Sequence, residues 1–261
     1  MSIVISNQIN LSSATASIKN GSYNSVMIFN IPAIKKEKNI LYNQVSIINA
    51  QIPVSYYTIN DNNNLLSLST GDFTLTNGNY NATSFSLMIT TVLGSQYTLT
   101  LDNSTGKFTF HYNSAYTINA TTTCWKILGL AKNTAYVVSS GLLECPFPAN
   151  FLGVNRIKIK SGVFKTNNLD SNSNMGHSDL LATIPVNVSP YSLISYNNLV
   201  DFKNTIPNED ITYIDITITD EDDTIIDFNN IDVHMTIQID SIVENFEGKS
   251  NLVDLLGNIN N

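Results

Sequence analysis

Few side chains in this 261-residue sequence have a chemistry to offer, and their spacing brings none of them together. The three histidines, His111, His177 and His234, are far apart in sequence. His111 and His234 take the polar positions of alternating segments, which turns both toward solvent or a partner rather than toward a metal. Cys124 and Cys145 have no metal-type spacing and no neighbouring histidine, and read as two reduced, half-buried thiols rather than a disulfide. Pro146 after Cys145 points to a structural loop rather than an activated nucleophile. The acidic run Asp220-Glu221-Asp222-Asp223 comes nearest to a cation loop, but it lacks the glycine and the distal glutamate that an EF-hand loop needs. Turns between strands commonly carry aspartate, so the sequence leaves open whether Asp220, Asp222 and Asp223 hold a cation.

No glycine-rich phosphate loop, HExxH helix or GxSxG elbow occurs, and Ser139-Ser140-Gly141 reads as a plain turn. Glycoside hydrolysis would need two converging carboxyl groups. Such pairs converge only in space, so the sequence leaves that option open, weakened by a scarcity of buried-looking acids: Asp215 and Asp232 sit on polar faces and Glu144 in an expected loop. The sequence therefore assigns no catalytic, cofactor-binding or metal-ligating residue, and the expectation is a protein that is not an enzyme and carries no cofactor.

Composition narrows the partners. The formal net charge is −8, with a pI near 4.7. Non-specific binding to nucleic acid needs basic residues that displace counterions from phosphate, so no specific nucleic-acid partner is expected. The one basic cluster, Lys35, Lys36 and Lys38, is broken by Glu37 and reads as a solvated loop. No run approaches the roughly 18 apolar residues of a membrane span. The opening Met1-Ser-Ile-Val-Ile-Ser6 lacks the basic leader and apolar core of a signal peptide.

The elements that must carry these residues are strands. Asparagine is abundant, with 37 residues, and it suits turns because its amide bonds to local backbone and it tolerates the left-handed region. In Ile231–Ile239 every odd position is apolar and every even one polar, the period of a half-buried strand. Ile214, Ile216 and Ile218 alternate in the same way, with a short strand expected at Thr224–Phe228 between the two runs. Tyr97–Leu101 and Phe108–Tyr112 alternate around Asp102-Asn-Ser-Thr-Gly106 and predict a hairpin. Further strands are expected at 25–31, 40–49, 54–59, 65–70, 72–76, 151–160, 180–186 and 191–196. One stretch breaks the pattern: Phe85, Met88, Ile89, Val92 and Leu93 recur at helical spacing, with Asn81 or Ser84 as the cap. A shorter helical turn is expected within 122–131, an exposed loop at 167–178, and a modest helical stripe at Leu252, Val253, Leu255 and Leu256 in the tail. Such a chain is all-β, and its strands with one or two short helices fit a sandwich or a barrel. Periodicity does not give the topology, but a single jelly-roll sandwich of about 8–10 strands suits the length and the many short strands. Residues 1–240 are expected to form one domain, with 1–24 an N-terminal arm or first strand and 241–261 a C-terminal tail.

Several segments resemble, in order, the single jelly-roll minor capsid or penton proteins of virophages, Polinton-like elements and nucleocytoplasmic large DNA viruses. They are Val45-Ser-Ile-Ile-Asn-Ala-Gln-Ile-Pro-Val-Ser-Tyr-Tyr57, a strand entering an "IP-x-S-xY" turn, and Gly78-Asn-Tyr-Asn-Ala-Thr-Ser-Phe85, similar to a "G-x-Y" entry into a short helix. Lys126-Ile-Leu-Gly-Leu130 resembles an "LLGF" segment with Leu130 in place of the aromatic. Leu181-Ala-Thr-Ile-Pro-Val186 resembles an "IPV" strand, and Ile214 to Ile239 a closing pair of strands around an acidic turn.

The resemblance implies a homopentamer at the fivefold vertices of an icosahedral shell. Its neighbours there would be double jelly-roll major capsid proteins, and it would be assembled inside a host cell and located in the virion. A second reading is a carbohydrate-binding β-sandwich for attachment, for which Tyr56, Tyr57, Tyr191 and Tyr196 are the candidate aromatics.

Overall fold

The computed structural model describes residues 2–21, 23–36, 38–165 and 179–244. The loop expected at 167–178, His177 and the apolar stripe of the tail lie outside the described residues. In chain order the first strands are β1 (Ser2–Ser12), β2 (Ile18–Lys19), β3 (Val26–Ile34) and β4 (Ile40–Pro53). Then follow β5 (Leu65–Leu68), β6 (Gly71–Thr74), helix α1 (Ala82–Leu93), β7 (Tyr97–Asp102), β8 (Lys107–Tyr112) and β9 (Tyr116–Ile118). Helix α2 (Trp125–Leu128), β10 (Tyr136–Val138) and β11 (Leu142–Pro148) complete the middle of the chain. The last strands are β12 (Arg156–Lys160), β13 (Leu180–Pro185), β14 (Leu193–Asn197), β15 (Asn204–Ile206), β16 (Ile211–Thr219) and β17 (His234–Glu244).

These elements group into two compact units, where the sequence alone read residues 1–240 as one domain. The first unit combines the chain up to Ser55 with the chain from Asn155 onward. Its first sheet runs β1-β17-β4-β14, with β15 also on β4, and its second runs β13-β12-β16-β3-β2. Every pairing is antiparallel. Number the main strands β1, β3, β4, β12, β13, β14, β16 and β17 from first to eighth. The first sheet is then first-eighth-third-sixth, and the second is fifth-fourth-seventh-second. Successive strands alternate between the sheets except for the fourth and fifth. That connectivity is the double Greek key of a jelly roll.

The alternating isoleucines fill this unit's interior. Ile214, Ile216 and Ile218 on β16 and Ile237 and Ile239 on β17 are all completely buried. Each such side chain stabilises the fold by about 1.5–3 kcal/mol. Asn204, buried on β15, donates its Nδ2 to the Leu181 carbonyl of β13 at 3.2 Å and so ties an edge of one sheet to an edge of the other.

The second unit, residues 56–154, carries the sheets β10-β9-β5-β6 and β11-β8-β7 with both helices. The expected hairpin is there, with Tyr97 opposite Tyr112 and Leu99 opposite Phe110. Helix α1 spans the expected 82–93. Asn81 accepts from the Ser84 amide at 2.9 Å while the Ser84 hydroxyl accepts from the Asn81 amide at 3.0 Å, so both cap candidates act together as a capping box. Phe85, Met88, Ile89 and Leu93 face a core that includes Phe108, Phe110 and Tyr116. The short helical turn expected in 122–131 is α2, closed by Gly129 in the left-handed region at φ 75°.

Several expected strands are corrected. Residues 54–59 are not a strand: Val54 exchanges bonds with Ser192 and Tyr191, and Ile59 makes an isolated bridge to Gly78. Of 151–160 only the last five residues pair. Thr224–Phe228 is reduced to one bridge between Ile225 and Thr219, because Asp220 folds the chain back on its own side chain. The ladder of the final strand begins at His234 rather than Ile231, since Asn229 and Asn230 adopt positive φ and Ser13 takes up the Val233 backbone. It continues to Glu244, so the first four residues of the expected tail belong to the sandwich. Of the two alternatives for the N-terminal segment, arm or first strand, residues 2–12 form a strand.

Candidate interaction surface

The structure disperses the residues that the sequence singled out for chemistry. His111 on β8 and His234 at the start of β17 are exposed and belong to different units. Cys124 and Cys145 are free and fully buried rather than half-buried, and burial pushes both thiols up to about 12. Thiolate is the nucleophilic form, so at neutral pH neither sulfur is a nucleophile. Cys145 and Glu144 lie on strand β11, not in a loop as the following proline suggested, and Glu144 faces out toward Lys107 at 3.7 Å. The prolines at 146 and 148 are tolerated because β11 is an edge strand with an irregular register.

The acidic run is taken up by structure. Asp220 Oδ1 accepts from the amides of Asp222 and Thr224 at 2.9 and 2.8 Å, and burial pushes its carboxyl up. Asp223 pairs with Lys158 at 3.0 Å and Lys160 at 2.8 Å, two cations on the inner strand β12. Asp215 accepts from the Ser161 hydroxyl and from the amides of Gly162 and Val163 at 2.7–3.0 Å, bracing the turn after β12. Asp232 accepts from Ser13 at 2.6 Å. Among the described residues no three histidine, cysteine or acidic side chains converge as a metal site. Of the aromatic candidates, Tyr56 is buried, Tyr57 and Tyr196 are half-buried, and Tyr191 alone is well exposed. No helix among the described residues is long and apolar enough to cross a membrane.

What the first unit does present is exposed apolar surface at both edges of its first sheet. Strand β1 is an edge strand, and no described strand pairs with its outer side. Exposed edges are usually blunted by lysine, proline, an inward charge or a bulge. Residues 2–12 contain no charged residue and no proline, and they pair with β17 in unbroken register over their whole length. Ile3, Val4 and Ile5 are each about half exposed. Val4 and Tyr42 lie opposite Ile242 from either side, so an apolar row crosses this end of the sheet, with Leu41 exposed beside it.

The opposite edge carries the loop between β14 and β15. At its tip Leu199 and Val200 are 91 % and 84 % exposed, followed by half-exposed Phe202. The loop is held in shape beneath them. Asn198 donates from Nδ2 to the Phe202 carbonyl at 2.8 Å and accepts from the Phe202 amide at 3.0 Å, while Asp201 sits at φ 51°. Lys203 pairs with Asp201 at 3.0 Å and reaches Asp240 on β17 at 3.1 Å.

Asp240 is the functional-looking residue that the sequence reading missed, for it is 2 % exposed on the second face of an alternating strand. Burial alone would push its carboxyl up, but hydrogen bonds from Ser6, Gln238 and Lys203 outweigh that and hold it below the usual carboxylate range. It thereby joins β1, through Ser6, to the Leu199 loop, through Lys203. The signal available in the sequence was an acid inside the run Ile237-Gln-Ile-Asp-Ser-Ile242, where continued apolar residues imply burial.

No protein-family model matches the chain, and no curated protein sequence matches it. Among solved structures it is similar to the mavirus penton protein in its crystal structure. Identity there is 10 %, the TM-score is 0.46, and the match covers 93 % of this chain and 100 % of that one. It is also similar to a chain of the Sputnik virophage structure from cryo-EM, at 13 % identity and a TM-score of 0.44, covering 91 % and 97 %.

Proposed function

We propose that this chain is a structural minor capsid protein, the penton that forms homopentamers at the fivefold vertices of an icosahedral viral shell and contacts the surrounding major capsid protein. The observation that carries the reading is a jelly-roll sheet with exposed apolar side chains at both edges among the described residues. A jelly roll suits side-by-side packing in capsids, although the fold alone also serves lectins and cupins. An uncharged edge of eleven residues is a liability on a free monomer and an asset on a subunit that is always covered. The ordered motifs of the sequence point the same way, and its acidic balance gives the vertex contacts a protein rather than a nucleic-acid partner.

Negative-stain imaging of the purified protein tests this directly. Five-membered rings are the expected result. A protein that stays monomeric at every accessible concentration, together with antibodies that fail to label virion vertices, refutes the assignment.

A further inference from the structure

We infer that neighbouring copies of this chain meet head to tail, with the Leu199–Val200 loop of one copy seated on the β1 edge of the next. This rests on the self-assembling role proposed above and names the two surfaces that would carry it. The two patches sit on opposite edges of one sheet, since β1 lies at the far side of β17 and the loop at the far side of β4. A single chain therefore cannot bring them together, whereas a rotation relating two copies can. Contacts between two different patches are heterologous, and they close into a ring when the rotation divides the circle.

The areas match. Ile3, Val4 and Ile5, each 50–54 % exposed, leave on the order of 300 Å² of apolar surface at the β1 edge. Leu199, Val200 and Phe202, at 91, 84 and 51 %, leave a comparable amount at the loop. Each amounts to about a third to a half of the ~800 Å² that one partner contributes to a standard interface, which leaves room for a polar rim around an apolar centre. The rims are polar: Asn7 and Gln8 continue β1, and Asn197, Asn198 and Asp201 flank the loop tip. An isologous contact, β1 against β1, would bury the edge and leave Leu199 and Val200 in water. The head-to-tail contact covers both.

The loop suits the role because its shape is already set. The Asn198 clamp across Phe202 and the Lys203 strut to Asp201 and Asp240 hold the tip without help from Leu199 or Val200. Little conformational freedom remains to be lost on docking.

Single-cysteine variants test the pairing, because Cys124 and Cys145 are both buried. Val4→Cys and Val200→Cys are made separately, and each is checked for an unchanged melting temperature. Mixed and mildly oxidised, the two should give a covalent dimer that neither gives alone. In parallel, Leu199→Asp combined with Val200→Asp should raise the concentration for half-assembly by about a hundredfold or more. A disulfide formed by Val4→Cys alone would establish edge-to-edge pairing and overturn the inference. So would a wild-type oligomer that persists unchanged in the double aspartate variant. A wild-type chain that never self-associates would instead remove the capsid-ring reading itself, and this inference with it.

Discussion

Replacing Asp240 by asparagine should destabilise the sandwich at neutral pH and lose most of that effect in acid. The carboxylate is almost fully buried and accepts from Lys203 Nζ at 3.1 Å and from Gln238 Nε2 at 3.0 and 3.1 Å, with Ser6 as a further donor. Removing one partner of a fully buried ion pair typically costs about 3–5 kcal/mol. Here the stranded cation is better placed: Lys203 keeps Asp201 and is 23 % exposed, and asparagine retains one acceptor oxygen. The expected loss is therefore about 2 kcal/mol, or roughly 4–8 °C in Tm for a unit of this size. Because the folded-state pKa of Asp240 is depressed, its stabilisation is present above the unfolded value. It disappears as the pH falls through the folded value. Urea unfolding of both proteins at pH 7 and at about pH 3 reads the difference directly. Equal stability at pH 7, or a gap that persists undiminished in acid, refutes the account of Asp240 as an ionised buried strut.

Two further outcomes follow from the second unit. Gly129→Ala should cost at least about 2 kcal/mol and release α2 from β11. Its φ of 75° disfavours any side chain, and an added methyl would collide with the Phe147 carbonyl, whose own amide donates to the Gly129 carbonyl at 3.0 Å. Thermal melting reads the loss, and a variant as stable as the parent sinks the argument. Neither thiol should react with Ellman's reagent at pH 8 in the folded protein, whereas both should react in denaturant, because burial holds Cys124 and Cys145 up to about 12. Prompt labelling of either in the native state would show that the core is open.

The alternation of Ile214–Ile218 and the run ending at Ile239 was enough to read all-β structure, because a period of two is a local property of the pleat. Helix α1 was legible for the same reason, its stripe and its cap lying within a dozen consecutive residues. The failures have a common origin. Strands 54–59 and 224–228 were expected on side-chain pattern, but their backbone bonds go to Ser192 and Tyr191 in one case and to Tyr23 and Ile218 in the other. The short strands β9, β10 and β15 carry too few residues to show a period, and exist only because a partner strand arrives from elsewhere.

The same divide holds for function. That the chain is acidic and patterned for a sandwich follows from residue types and spacing alone. That β1 is an edge, that Asp240 is buried, and that Leu199 and Val200 stand out on the opposite edge are facts about pairing between residues up to 242 positions apart, as Ser2 and Glu244 are. A one-dimensional pattern fixes which face of a strand is apolar, but not which neighbour covers it. Only the order of strands in the sheet decides which apolar side chains are core and which are left for a partner.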